Sequence, residues 1–447
     1  MPTEEAPNAP LSGEIVSAAD DNAMVVVGAG PVGLAAALLA AKRLATTPKA
    51  GDVLLIAPPQ LTGSKIRDHR TAAVFHDGCD MLREAGADEG LFRSSAELAG
   101  IRMIDISDRL LRAPDVTFMA RDVGLETFGH NLANADIVSA LEQAVDAAPG
   151  VRRILARVTQ IAFDGAKGNN GSGTQARLDL DNGATVRTKA VIAADGRNSP
   201  LRHAAGISTR QWSRGQVAIT SRFAHARAHN NISTELHDRG GPCTTVPLPG
   251  NRSSLVWMMR EADVASAIGD AQTESGLQAA LQSRVGSYLG AISDVVAPKT
   301  VALKSLVANR LAQRRVFLVG EAGHAFPPIG AQGLNLGFRD VADAVDLVVG
   351  AIRAGEDPGA DRVTARYHTK RWPDVEARSQ GVDILNESLI ATGPLLPLAR
   401  GAGLHAVSAI GPLRRLLMSH GMAGVSLPDP VGFMSVTTKR VARAAGR

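Results

Sequence analysis

Gly320-Glu-Ala-Gly-His-Ala-Phe-Pro-Pro-Ile-Gly-Ala-Gln-Gly-Leu-Asn335 is the stretch that decides the fold of this chain. It follows an apolar run, Val316-Phe-Leu-Val319, of the kind that forms a buried strand, and Gly333 to Ile352 then has the pattern of a long helix. In open α/β sheets, nucleotides bind at turns between a strand and a helix. The pattern therefore predicts a nucleotide contact late in the chain.

A second glycine-rich turn, Gly28-x-Gly30-x-x-Gly33, lies near the N-terminus between a strand-like and a helix-like run, and residues 24–56 predict one βαβ unit. Gly28 allows the tight turn, Gly30 lets the backbone approach a pyrophosphate, and Gly33 lets helix and strand pack closely. Two nucleotide contacts so far apart in sequence predict one long cofactor, FAD. The expected fold is α/β, with a Rossmann-like FAD-binding domain.

Another motif begins at Asp195, where the strand-like run Lys189 to Ala194 ends. A carboxylate at the carboxyl edge of a parallel sheet suits a ligand hydroxyl or a turn beside a phosphate. The alternative is that Asn198 or Ser199 only caps a helix with Pro200 in its first turn. Both interpretations remain open from the sequence.

Other polar residues near these motifs are harder to assign. Glu321 is expected to accept hydrogen bonds from the hydroxyls of a ribityl chain. His324 is interpreted either as a solvent-facing loop residue or as a ligand-binding residue and is assigned no chemistry, and Arg339 and Asp340 are interpreted as a pair on a helix surface. No acidic residue occurs between positions 53 and 68, where one usually holds the adenosine ribose, so another group must do so.

Composition excludes several classes of protein. The chain has 447 residues, 45% hydrophobic and 21% charged, which is ordinary for a globular protein. No run approaches eighteen apolar residues, so a membrane-spanning helix is not expected. Cys79 and Cys243 are the only cysteines and belong to no metal or disulfide pattern, which indicates a reducing cytoplasm and no metal site.

The net charge of +4 is concentrated near the C-terminus. Six basic residues and one acidic residue follow position 413, so the rest of the chain is close to neutral. This distribution, with only 3% aromatic residues, argues against nucleic-acid binding. Leu413 to Met418 is both apolar and basic, which fits peripheral attachment to anionic lipid at the inner membrane. A solvated basic tail beside a packed helix is the alternative.

The pattern of strands and helices predicts a discontinuous domain organisation. Residues 1–20 are expected to be a disordered leader, and residues 21–205 and 301–360 together form the FAD-binding domain. Residues 206–300 alternate with Pro, Gly and Thr breaks and predict an interleaved mixed-sheet domain on the substrate side. Residues 361–447 form a helical C-terminal region with the basic tail.

The three motifs together resemble those of the class A FAD-dependent aromatic monooxygenases, the p-hydroxybenzoate hydroxylase superfamily. The runs from Asp195 to Arg202 and from Gln332 to Asp340 are most similar to the ubiquinone-biosynthesis hydroxylases, and the resemblance extends from about Met24 to about Pro430. Two departures are Glu321, where the family usually has Asp, and Ala331, where Gly is common. The resemblance implies these cofactor-binding residues: Gly28, Gly30, Gly33, Arg70, Asp195, Gly320, Glu321, Pro328, Gln332, Gly333, Leu334 and Asn335.

In such enzymes NAD(P)H reduces FAD, O₂ adds to give a C4a-hydroperoxyflavin, and this species hydroxylates an electron-rich phenol. The resemblance implies a polyprenylated phenol of ubiquinone biosynthesis as substrate and membership of a biosynthetic complex. No catalytic side chain is evident in the sequence. The alternatives are a hydroxylase of a small soluble aromatic compound and a non-catalytic scaffold. A halogenase is disfavoured, because no Trp-x-Trp-x-Ile-Pro element occurs around Trp212, Trp257 or Trp372.

Overall fold

The computed structural model describes residues 24–47, 52–59, 70–107, 114–164, 174–238, 241–269, 273–328 and 331–390. The predicted leader, the basic tail and the apolar segment at Leu413 to Met418 lie outside these ranges. The helices are α1 (Pro31–Leu44), α2 (His76–Glu84), α3 (Glu89–Arg93), α4 (Asn134–Ala147), α5 (Pro200–Ala204), α6 (Val264–Ile268), α7 (Glu274–Leu289), α8 (Gln332–Arg353) and α9 (Asp361–Ile390).

The strands fall into five sheets. They are β1 (Met24–Val27), β2 (Val53–Ala57), β3 (Thr71–Phe75), β4 (Ala96–Glu97), β5 (Gly100–Asp105), β6 (Val116–Met119), β7 (Gly129–Ala133), β8 (Val151–Leu155), β9 (Val158–Asp164), β10 (Gln175–Leu180), β11 (Thr185–Thr188), β12 (Ala190–Ala193), β13 (Thr209–Trp212), β14 (Gln216–His225), β15 (Ile232–His237), β16 (Cys243–Leu248), β17 (Arg252–Arg260), β18 (Ile292–Ser293), β19 (Lys299–Ala302), β20 (Ser305–Ala308), β21 (Ala312–Gln313), β22 (Val316–Leu318) and β23 (His324–Ala325).

The first large sheet has six strands in the order β21-β22-β12-β1-β2-β8. All neighbouring pairs are parallel except β21 with β22. The strands β1, β2 and β12 are fully buried because apolar layers cover both faces. One layer contains α1, α4 and α8, and the other contains α5 and the three-stranded sheet of β9, β10 and β11. The predicted α/β, Rossmann-like architecture is confirmed.

The second large sheet is mixed, in the order β18-β14-β17-β16-β15-β5-β6, with β19 also paired to β14. Only the β15–β5 pair in it is parallel among the pairs described. One face packs against α7 through Leu277, Leu281 and Val285. The interleaved mixed sheet is thus confirmed, and α9 confirms a helix following Asp361.

Strands β5 and β6 belong to this second sheet although they fall within residues 21–205, the range predicted for the FAD-binding domain. Every residue of β15 pairs with β5, from Ile232 with Gly100 to His237 with Asp105. The chain therefore enters the mixed sheet before position 206. The exact domain boundaries stay a prediction.

Among the helices described, none is long and apolar enough to cross a membrane. Both cysteines are buried, and burial raises the pKa of each thiol to about 12, so neither is a reactive thiolate.

Candidate functional site

In chain order, the first motif begins at Gly28, the second at Asp195 and the third at Gly320. The three motifs lie at the carboxyl ends of three neighbouring parallel strands. Val27 of β1 pairs with Ala193 of β12, and Ala193 pairs with Leu318 of β22. The residues that follow continue this contact, because Ala194 N donates to Val27 O at 2.8 Å and Val319 N donates to Ala193 O at 3.0 Å. The motifs are thus brought together at the edge where open α/β sheets bind ligands.

Gly28 and Gly33 of the first motif have the geometry that the sequence predicts, whereas the approach of a pyrophosphate at Gly30 stays a prediction. Gly28 has φ +114°, and a Cβ there would lie 2.2 Å from Ala194 O. A Cβ on Gly33 would lie 2.0 Å from Gly28 O, so α1 packs directly against the turn. A Cβ on Gly30 would meet no described atom within 4 Å. Gly30 therefore borders open space at the N-terminus of α1, where free N–H groups favour an anion such as a pyrophosphate.

In the second motif, one carboxyl oxygen of Asp195 accepts a hydrogen bond and the other does not, among the residues described. Its Oδ2 accepts a hydrogen bond from Leu201 N at 3.2 Å, whereas Oδ1 is buried and has no hydrogen-bond partner among the residues described. Burial raises the pKa of this carboxyl group above its usual value. A buried acceptor without a partner is costly, so this oxygen suits a ligand hydroxyl.

The helix-capping alternative is also realised, by a neighbouring residue. Ser199 Oγ accepts a hydrogen bond from Arg202 N at 2.9 Å, and Pro200 begins α5. Arg202 is buried and donates to Ala322 O at 2.7 Å and to Arg197 O at 2.9 Å. Because Ser199 caps the helix, Asp195 Oδ1 stays available for a ligand. The hydrogen bond from Arg202 to Ala322 O links the second motif to the third.

The third motif folds tightly over α1. Gly320 has φ +59°, and a Cβ there would meet the side chain of Val32 at 3.3 Å. Glu321 and Pro328 are exposed, as are Gly333 and Arg70. Glu321 is therefore free to reach towards a ligand from the end of β22, as the sequence predicts, but its contact with a ribityl chain stays a prediction.

Asp340 is the central residue of a buried network that the sequence interpretation misses. Its side chain is 0% exposed. Its Oδ2 accepts from Gly320 N at 3.0 Å and from His324 Nε2 at 2.6 Å, and its Oδ1 accepts from Arg371 Nε at 2.8 Å. The interpretation of Asp340 as half of a surface pair is wrong, and so is that of His324 as a mere loop residue. Asp340, on α8, holds Gly320 and His324 of the third motif and links them to Arg371 of α9.

Burial and charge act in opposite directions on Asp340. Burial raises the pKa of its carboxyl group, but attraction to His324 and Arg371 outweighs burial, and the pKa lies below its usual value. The carboxyl group is therefore ionised at neutral pH. His324 also stacks on Phe326, with ring centroids 5.5 Å apart.

Two predicted cofactor residues have side chains that make protein contacts. Asn335 Nδ2 donates to Ala73 O and to Ala331 O, both at 2.8 Å, and its Oδ1 accepts from Phe75 N at 2.8 Å. Arg378 of α9 donates to the side chain of Gln332. Asn335 thereby fixes β3 against the start of α8. Any cofactor contact from this turn would use its backbone N–H groups, as the helix N-terminus allows.

The conformation of Ala331 explains why glycine is common at this position. Ala331 has φ +53° and precedes the first residue of α8. A residue with a Cβ is strained there by roughly 1–2 kcal/mol, whereas glycine is not.

We expect Ala331→Gly to stabilise the protein by roughly 0.5–1 kcal/mol, because relief of strain exceeds the added entropy of the unfolded chain. Urea denaturation would measure the difference. As a control, Ala279→Gly at an exposed position of α7 should destabilise by about 1 kcal/mol. A loss of stability in both variants would contradict the assignment of strain to Ala331.

The adenosine end of the site is only partly described. Strand β2 ends at Ala57 and is followed by Pro58 and Pro59, and the structure describes nothing between positions 60 and 69. Arg70 is the first residue after this gap, and its carbonyl oxygen accepts a hydrogen bond from Asn134 N at 3.1 Å. Within the described ranges, no cluster of His, Cys, Asp or Glu could hold a metal ion.

Comparison with known proteins agrees with this geometry. The sequence model of the FAD binding domain family matches residues 156–380. The chain is 38% identical to ubiquinone hydroxylase UbiL of Rhodospirillum rubrum over 58% of this chain and 62% of that protein. It is 28% identical to the 3-demethoxyubiquinol 3-hydroxylase of Escherichia coli over 69% of this chain and 76% of that protein. It thus spans somewhat under two thirds of the Rhodospirillum rubrum relative.

Among solved structures, the fold is similar to that of pqsL, a probable FAD-dependent monooxygenase from Pseudomonas aeruginosa. The TM-score is 0.70 at 18% identity, covering 86% of this chain and 100% of that one. The motifs, the sheet edge that unites them and the family match confirm the expected resemblance to flavin-dependent monooxygenases. The chain belongs to the FAD binding domain family.

Proposed function

We propose that this chain uses FAD, NAD(P)H and O₂ to hydroxylate an aromatic ring in a polyprenylated phenol of ubiquinone biosynthesis. The observation that carries the proposal is the meeting of three motifs at one sheet edge, with open space at Gly30 and an unpartnered buried oxygen on Asp195. The similarity to the Rhodospirillum rubrum and Escherichia coli hydroxylases supports the substrate class.

The residues at this edge fit FAD by their chemistry. The turn at Gly30 and the N-terminus of α1 would hold the pyrophosphate, and Asp195 and Glu321 would accept hydrogen bonds from ligand hydroxyls. The N-terminus of α8 would favour negative charge on the flavin ring. When bound, FAD would supply the transfer of electrons from NAD(P)H and the activation of O₂.

The chain itself must hold the aromatic ring and exclude water. Val256 and Met258 of β17 pack in one apolar cluster with Phe326 of the third motif and form an apolar wall. An apolar wall excludes water from reactive species and holds a ring by contact area. It also suits a substrate with a long hydrocarbon chain.

Deleting the gene and analysing the quinone intermediates that accumulate would test the proposal. We expect a prenylated phenol lacking one hydroxyl group to accumulate, and the full-length chain to restore ubiquinone. A deletion strain that makes normal ubiquinone would contradict the proposed substrate. In that case oxidation of a small soluble phenol by the purified protein would identify the rival activity.

Peripheral membrane contact forms part of the same proposal, since the substrate resides in a membrane. Its support is the sequence alone, because Lys439, Arg440, Arg443 and Arg447 follow the apolar and basic segment at Leu413 to Met418. We expect deletion from Lys439 onward to reduce co-sedimentation with anionic liposomes at low salt, because each basic residue near such a surface contributes about 1 kcal/mol. Neutral liposomes serve as the control. Unchanged binding to anionic liposomes would exclude the tail from membrane contact.

A further inference from the structure

The mixed sheet has one face covered by α7 and an opposite face directed at the third motif. On the opposite face, Met103 of β5 and Val246 of β16 pack in the same apolar cluster as Ala331. Val256 of β17 packs in a cluster with Phe326. Phe326 and Ala331 bracket the loop before α8. This face of the sheet, which we call the inner face, therefore lies against the part of the site assigned to the flavin ring.

Two ionisable residues interrupt the inner face. Glu235 and His237 are alternate residues of β15, so their side chains lie on the same face of the sheet. Glu235 Oε1 lies 2.5 Å from His237 Nε2, and their side chains are 13% and 3% exposed. In the strand register, Glu235 lies between Met103 on β5 and Thr244 on β16. The pair is thus set in the wall that carries Met103 and Val246.

Most of the capacity of this carboxylate to accept hydrogen bonds is unused in the described contacts. Thr244 Oγ1 lies 3.5 Å from Glu235 Oε2, at the long limit for a hydrogen bond, and the described ranges supply Oε2 with no shorter contact. A carboxylate has about four acceptor positions. Burying a carboxylate and an imidazole in an apolar wall costs free energy, whereas burying two apolar side chains there would not. A ligand hydroxyl that donates a hydrogen bond to Glu235 Oε2 would account for the burial of this pair.

We propose that Glu235 accepts the proton of the phenolic hydroxyl of the substrate, and that His237 is a positioning residue for this carboxylate. The inference rests on the proposed function. One oxygen atom of O₂ bonds to a ring carbon, and the other leaves as water with the two electrons that NAD(P)H supplies. The ring then carries positive charge and the phenolic O–H becomes acidic. The O–H bond breaks, a new O–H bond forms at Glu235 Oε2, and the electron pair remains on the substrate oxygen and neutralises the ring. The ring carbon that gained oxygen then loses its hydrogen to water as a proton, and the ring becomes aromatic again. The carboxyl group releases this proton when the product leaves.

Two substitutions of Glu235 distinguish proton acceptance from a structural role. Glu235→Gln keeps the shape of the side chain but lowers its basicity, whereas Glu235→Asp keeps the carboxylate but shortens it. The measurements are the rate of hydroxylation and the yield of hydroxylated product per NAD(P)H oxidised. The substrate is a 2-polyprenylphenol, and the enzyme is the full chain loaded with FAD. We expect Glu235→Gln to lower the hydroxylation rate by roughly 10²–10⁴-fold, as for loss of a general base, and Glu235→Asp to keep more activity than Glu235→Gln.

The affinity for FAD and the rate of FAD reduction by NAD(P)H should stay as in the wild type in both variants. Glu261→Gln, at an exposed glutamate after β17, is the matched control and should be fully active. Equal or higher activity of Glu235→Gln relative to Glu235→Asp would overturn the inference. If the wild-type protein hydroxylates no prenylated phenol, that result contradicts the proposed function, and the role of Glu235 is then contradicted as well.

Discussion

Replacing Asp340 by alanine is expected to lower the free energy of unfolding by about 3 kcal/mol, because the buried Arg371 would lose its closest carboxylate partner and keep only the less buried Asp343 and Asp374. The same change removes the acceptor for Gly320 N and for His324 Nε2. Two of these three contacts hold the third motif. The variant should therefore also bind FAD more weakly.

Urea denaturation of the FAD-free protein would measure the stability, and flavin fluorescence would measure the affinity. Asp346→Ala is the matched control on the same helix, because Asp346 pairs with Arg43 at the surface, where ion pairs contribute little. If the two variants unfold at the same urea concentration, the buried network does not stabilise the fold.

The Asp340 network also predicts a dependence of stability on pH. The pKa of this carboxyl group is lower in the folded chain than its usual value in the unfolded chain. The stabilisation is therefore fully present above the unfolded pKa, about 3.9, and is lost as the pH falls through the folded pKa. Stability of the wild type should fall below about pH 4 more steeply than that of Asp340→Ala.

The second large effect is expected from Gly28→Ala. The substitution places a Cβ 2.2 Å from Ala194 O at φ +114°, so β1 and β12 must separate at the edge where the site forms. Backbone strain and overpacking each cost roughly 1–3 kcal/mol, and together they should destabilise the protein by about 3 kcal/mol or more. FAD binding should be lost with the turn.

Gly30→Ala is the matched control in the same motif, with an ordinary φ of −76° and open space around the added Cβ. Its stability should stay within about 0.5 kcal/mol of the wild type. Its affinity for FAD should fall, because the methyl group occupies the space assigned to the pyrophosphate. Full FAD affinity in Gly30→Ala would show that the cofactor lies elsewhere.

Local sequence patterns predict much of the fold. Apolar runs bounded by glycine predict β1, β12 and β22, and helical spacing predicts α8, because burial of these elements follows from their own residues. The pairing of β15 with β5 could not be predicted in this way. Those strands are far apart in sequence, and a parallel pair carries no turn signal between its strands.

The candidate site likewise contains residues that the local sequence predicts and residues that it does not. Gly28, Gly30 and Gly33 leave room beside the backbone because they have no Cβ. The strand-like and helix-like runs on either side of them indicate this role. Asp340 and His324 appear as surface residues in sequence, because their burial depends on Arg371 of another helix. Glu235 and His237 could have been found from their alternate spacing in a strand. Only the structure, however, identifies the face of the sheet on which they lie.

Isotope labelling would test the central claim most directly. The full-length protein, loaded with FAD, would be supplied with NAD(P)H, a 2-polyprenylphenol and ¹⁸O₂, and the product analysed by mass spectrometry. We expect one ¹⁸O atom in a new ring hydroxyl group, formed with matched oxidation of NAD(P)H. A protein that binds FAD and is reduced by NAD(P)H but leaves the phenol unlabelled would contradict the proposed function.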